Sequence, residues 1–122
     1  MEAIVQTTEV KLERVFVANY AGHDYSAAEV YGAINWITRG YVSFQSLDRV
    51  KFQIAEAIAQ SQPGDWLLVS GTPLINLLAG VLWMEKHGTM KLLVYDKKFP
   101  TQYREMIVTR KNLIELISVL ST

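Results

Sequence analysis

Cysteine is absent from this sequence of 122 residues. That excludes a disulfide scaffold, thiolate metal sites and a cysteine nucleophile. Histidine is scarce: His23 and His87 are the two imidazoles, too far apart in sequence to carry a metal-ligand spacing, so neither a metal nor a cofactor is expected. Charge of one sign does not dominate either. Twelve basic residues balance twelve acidic ones, so no global field draws the chain to nucleic acid or to an anionic membrane. The phosphate-binding patterns G-x-x-x-x-G-K-[ST] and G-x-G-x-x-G are missing, which disfavours a nucleoside triphosphatase or an NAD dehydrogenase. No basic segment followed by an apolar block opens the chain, so no secretory signal is expected and the expected location is the cytoplasm.

What is present suits one α/β domain over residues 1–122, with 50% hydrophobic residues and enough length for a core. The stretch from Asp65 to Asp96 organises the rest. Pro63-Gly64 is a turn, and Trp66-Leu67-Leu68-Val69 is short and apolar, as a buried strand is. Thr72 then suits a helix N-cap and Pro73 the first helical position. Leu74 through Met84 runs apolar to His87-Gly88, a C-cap in which His87 would sit charged against the helix dipole. Lys91 to Tyr95 returns as a strand. A membrane span over Trp66 to Met84 is the competing reading, but it would bury Gly71 and Pro73 inside a helix, where Pro costs about 3 kcal/mol.

Upstream, Met1 to Glu9 reads as a polar lead-in, extended by Val10 or Leu12, and Arg14 to Ala18 as the first core strand. A helix is expected from Ser26, which with Glu29 has capping-box spacing, Asp24 being the alternative cap. Its inner face would hold Ala27, Val30, Tyr31, Ile34 and Ile37, with Gly32 permitting close packing. Tyr41 to Phe44 would be a short strand, and Ser46 or Asp48 would start a helix with Leu47, Val50, Ile54, Ala57 and Ile58 inward. Tyr103 to Val108 is expected as a fifth strand, antiparallel at an edge, before an amphipathic helix Asn112 to Leu120 with Leu113, Leu116, Ile117 and Leu120 inward. The fold class is therefore a three-layer α-β-α sandwich around a mostly parallel, Rossmann-like or flavodoxin-like sheet of 4–5 strands.

In such sheets ligands sit beyond the carboxyl ends of the strands, where the winding reverses. That rule points to Asn19, Gly22 and Ser26 after the first strand, Ser70, Gly71 and Thr72 after the third, and Asp96 after the fourth. A helix N-terminus following Gly71 favours a small anion, such as a nucleotide or phosphorylated metabolite. Alternatively Gly71 only makes the turn and Thr72 only caps. His23 and Asp24, adjacent in a loop, are the candidate acid and base if there is catalysis at a phosphate or glycosidic centre. Tyr20, Tyr25 and Tyr41 offer stacking surfaces or rim packing.

The run V-S-G-T-P-L-I-N-L-L-A-G-V-L-W-M-E-K-H-G, then K-L-L-V-Y-D, with N-Y-A-G-H-D-Y-S-A-A upstream, resembles small α/β proteins encoded by bacteriophages and prophages. That resemblance covers most of the chain and implies no particular activity. More loosely, the chain is similar to nucleoside deoxyribosyltransferase-like and related nucleotide-processing Rossmannoids, whose loops after the first and third strands hold a nucleoside or sugar phosphate. Their carboxylate on the helix after the third strand has no counterpart, since Asn76 is the polar residue there. A further reading is a homodimer without chemistry, its interface on the nearly all-apolar helix Leu74 to Met84 and its anchor Trp83.

Overall fold

The computed structural model describes residues 13–120. The expected lead-in Met1 to Glu9, and the extension at Val10 or Leu12, lie outside them. Five strands form one sheet: β1 (Arg14–Tyr20), β2 (Ala33–Arg39), β3 (Trp66–Leu68), β4 (Thr89–Tyr95) and β5 (Tyr103–Thr109). Their order is β2-β1-β3-β4-β5. The β1–β2, β1–β3 and β3–β4 pairs are parallel, while β5 runs antiparallel along the β4 edge.

One face is covered by α1 (Leu47–Ala59) and α2 (Pro73–His87). Because successive side chains on a strand alternate, Phe16 and Ala18 point to that face and Val15 and Val17 to the other. Phe16, Ala18, Ile37 and Leu67 pack there against Ile54 and Ile58 of α1 and Ile75, Ala79 and Trp83 of α2. On the opposite face Val15, Val17, Trp66, Leu68, Leu93 and Tyr103 pack on Tyr25 and Ala28 of a short 3₁₀ segment, Ser26–Tyr31, and its approach. The result is a three-layer α/β sandwich of Rossmann/flavodoxin-like architecture whose second covering layer is thin.

Two expectations are corrected. The helix expected from Ser26 to Ile37 is instead the 3₁₀ segment followed by β2, and residues 41–43 are not a strand. Gly32 explains the break. Its φ is +150°, and a Cβ there would lie 2.8 Å from the Glu13 carbonyl carbon, so the backbones of the β1 and β2 entries touch where only glycine fits. Neither Ser26 nor Asp24 caps the segment: Tyr25 stands at the N-cap without a side-chain cap, and Asp24 Oδ1 accepts from the Ser26 N–H at 2.9 Å in a local turn. The second correction concerns α3 (Arg110–Leu120), a helix as expected, but with Leu113, Leu116, Ile117 and Leu120 all exposed rather than inward.

The ends of α1 and α2 are tied together at the amino ends of the parallel strands. Lys86 donates to the carbonyls of Ile58, Ala59 and Ser61, satisfying the last turn of α1. His87 is not held charged as expected. Burial, and then the neighbouring Lys86, lower its pKa below 6.5. Ser61 donates to the Ile58 carbonyl, so the His87 Nε2–H donates to Ser61 Oγ at 2.8 Å. Burial, not this hydrogen bond, is what favours the neutral imidazole in the folded state, since a cationic ring would donate to Ser61 equally well. Its folded pKa lies below its unfolded one, so the contribution is complete above pH 6.5 and is lost as the pH falls through the folded pKa. The carboxylates with lowered values, Asp24 and Asp96, titrate below 3.8, which separates the two windows. Melting temperatures measured from pH 7.5 to 4.5, a range of about three units on the acid side of neutrality, should fall in wild type and fall less in His87→Gln. Parallel curves would exclude this linkage.

Among the described residues no helix is long and apolar enough to cross a membrane.

Candidate functional site

The strand order reverses between β1 and β3, so the two candidate loops do face each other there. The structure divides the candidate residues between two depressions. His23, Asp24, Ser26, Ser70 and Gly71 line a cleft of about 440 Å³ on the 3₁₀ side of the sheet. Asn19, Gly22 and Thr72, with Gly71 shared, line a shallower one beside Gly40 and Tyr41. Asp96 belongs to neither. It is paired with Arg104 and accepts from the Lys98 N–H, and the Arg104 hydrogen bond holds its carboxyl below the usual range.

Asn19 is the pivot between the two. It is buried, and its carboxamide makes all four hydrogen bonds open to it. Nδ2 donates to Thr38 Oγ1 at 2.9 Å and to the Gly40 carbonyl at 3.0 Å, clamping the end of β2. Oδ1 accepts from the Thr72 N–H at 3.1 Å and from Thr72 Oγ1 at 3.3 Å, at the mouth of α2. Thr72 stands at the N-cap position without capping through its own side chain. Asn76 completes the latch: its Oδ1 accepts from Ser70 N–H, and its Nδ2 donates to the Ser70 and Thr72 carbonyls. The residue that stands where the Rossmannoid resemblance places a carboxylate thus folds the loop. The Thr72 N–H that an anion at this helix end would seek already has its partner.

The cleft is differently furnished. Tyr25 is buried against Tyr20 and Trp36, its hydroxyl 2.5 Å from Ser70 Oγ and accepting from the Ala21 N–H at 3.1 Å. His23 sits at the rim, its ring 6.1 Å from that of Tyr25, and among the described residues no hydrogen bond joins it to Asp24. Hydrogen bonding from Ser26 lowers the pKa of Asp24, which keeps it ionised. Tyr95, Gln102 and Tyr103 form the far wall, and the sequence reading did not include them. They reach the cleft because antiparallel pairing sets Tyr103 beside Tyr95. Gln102 is the one non-glycine residue with positive φ (69°) among the described residues, held by backbone hydrogen bonds to Asp96 and Phe99. Burial raises the pKa of Tyr103, so its hydroxyl stays protonated. Among the described residues no group of three or more His, Asp or Glu is placed to hold a metal ion.

A family model described as Phage Pam3 gp32-like protein matches residues 4–110. Neither the curated proteins nor the solved structures contain a match. The chain belongs to the Phage Pam3 gp32-like protein family.

Proposed function

From this family membership and one surface, we propose that the chain is a phage protein that acts as a homo-oligomeric interaction module without chemistry of its own. The observation that carries the reading is the outer side of α2. Leu74, Leu77 and Val81 are exposed there, Leu77 and Val81 at 66% each, and with Leu47, Ile54 and Leu78 they line an almost wholly apolar groove of about 370 Å³ between α1 and α2. Such a surface marks a place where something docks. Trp83 is not its anchor, being 1% exposed in the core.

The occupant we assign is α3 of a second copy. Leu113, Leu116, Ile117 and Leu120 follow i, i+3, i+4, i+7 spacing, the stripe a helix lays into a groove, and their own fold leaves them uncovered. The charges agree. Lys111 and Glu115 flank the stripe, and at the groove Lys51 is paired with Asp48 at 3.1 Å, an exposed ion pair that the charges of the incoming helix would extend. A two-fold pair exchanges the contact in both directions.

Sedimentation over a dilution series should show a wild-type dimer. Leu77→Asp should weaken it by at least about thirtyfold, as loss of an interface hot spot does, with the melting temperature of the monomer retained. A chain ending at Thr109 should be monomeric and should pair with Leu77→Asp through the one remaining contact. A wild type that stays monomeric at high micromolar concentration overturns the module. A dimer broken by Leu77→Asp but not by the shortened chain removes α3 as the occupant.

A second reading, binding of a small ligand at the carboxyl ends of the strands, is favoured by the 440 Å³ cleft, which has the volume of a small-molecule site. A nucleotide or phosphorylated metabolite would direct its phosphate to the mouth of α2, where Asn19 already takes the Thr72 N–H. Turnover, if a ligand is converted, falls to His23 and Asp24 at the rim.

A further inference from the structure

Resting on that second reading, we infer that the cleft takes a planar, amine-bearing heterocycle, uncharged or cationic, and rejects the phosphate a nucleotide would bring. The walls supply the first half of the argument. Tyr25, Tyr95 and Tyr103 line one concavity, the first and last buried, and Tyr95, 56% exposed, stands edge-on to Tyr103 with ring centroids 5.7 Å apart. Rings so arranged favour a flat guest, and their negative faces favour a cation over an anion.

The charges supply the second half. The residues lining the cleft include one carboxylate, Asp24, and no lysine or arginine. An ionised carboxylate has about four acceptor sites, so the Ser26 hydrogen bonds leave Asp24 able to accept from a ligand N–H. An anion would meet that charge with no lysine or arginine in the lining to offset it. The Tyr25–Ser70 hydroxyl pair and the Gln102 carboxamide add donors and acceptors that suit a ring nitrogen and an exocyclic amine.

Gln102 carries a further sign. A glutamine in the left-handed region is strained, and such strain concentrates at binding sites. Replacing it with glycine removes the strain and the carboxamide together. Gln102→Gly should therefore raise the melting temperature while weakening ligand binding, an opposition that a purely structural role would not produce.

The test is calorimetry with adenine, AMP and inorganic phosphate as probes, on the full chain. Adenine should bind at least about tenfold more tightly than AMP, and phosphate should give no heat. Asp24→Asn should weaken adenine by about tenfold, the loss of one charge-assisted hydrogen bond, and Tyr95→Ala should weaken it too. AMP or phosphate binding more tightly than adenine overturns the assigned class and leaves the ligand-binding reading standing. No heat from any of the three at millimolar concentration overturns both.

Discussion

Trp83→Ala is expected to lower the unfolding free energy by about 3–5 kcal/mol, a fifth or more of the roughly 5–15 kcal/mol available to a domain of this kind. Trp83 is among the largest fully buried side chains described. Its ring meets Phe16 edge-on at 5.6 Å and His87 at 5.2 Å, joining β1, α2 and the α1–α2 tie in one contact. Truncation leaves a cavity bordered by a sheet and two helices, none of which can collapse into it without moving the others. Trp83→Phe, which keeps most of the volume, should lose far less. Urea unfolding at two protein concentrations gives the difference and separates it from any effect of self-association. A loss below about 1 kcal/mol would show that the site relaxes or that the indole contributes little. The same burial makes a charged residue at position 83 uninformative about self-association, because a charge in this core unfolds the chain. Leu77, on the outside of the same helix, is the informative position.

Trp83 also shows what a sequence can and cannot convey. The unit β3–α2–β4 was legible because residues with particular backbone needs mark its ends: Pro73 opens α2, and Gly88, with φ +73°, closes it by donating to the Met84 carbonyl at 2.8 Å. The face of an almost wholly apolar helix is another matter. Helical periodicity locates an inner side only where polar residues mark an outer one, so it does not separate Trp83, 1% exposed, from Leu77, 66% exposed. From Ala27 to Ile37 the opposite failure occurred. Ala27, Val30, Tyr31, Ile34 and Ile37 match helical spacing by coincidence, since Ile34 and Ile37 pack on opposite faces of the sheet and Val30 is 56% exposed. The better signal was Gly32 followed by Ile, Trp, Ile and Thr, residue types that favour a pleated surface. In the site, the reversal of strand order brought out His23, Asp24, Ser26, Ser70 and Gly71, because that rule depends on connectivity. Tyr95, Gln102 and Tyr103 depend on the register of β5 against β4, which no local pattern encodes.

Gly71→Ala is expected to destabilise the chain by about 3 kcal/mol, and about half of that loss should vanish when Asn19 is also replaced by alanine. Gly71 has φ +78°, where an L side chain costs roughly 1–2 kcal/mol whatever surrounds it. Its added Cβ would also fall 2.7 Å from Asn19 Cγ, and closer still to Oδ1, so the carboxamide must leave its place. Leaving breaks up to four hydrogen bonds, each contributing about 1 kcal/mol. In the Asn19→Ala background the carboxamide is already gone, and only the φ cost of Gly71→Ala should remain. Asn19→Ala alone should cost about 2–4 kcal/mol, because it strips partners from the Gly40 carbonyl and the Thr72 N–H. The coupling read from the four urea midpoints is thus the measure of how tightly the carboxamide sits at the mouth of α2. Additive losses would mean that Asn19 does not occupy that position in solution, and the helix end would then be open to an anion after all. Strong coupling means that the Asn19 carboxamide is held at the mouth of α2, taking the Thr72 N–H and the space beside Gly71 that an added methyl would need.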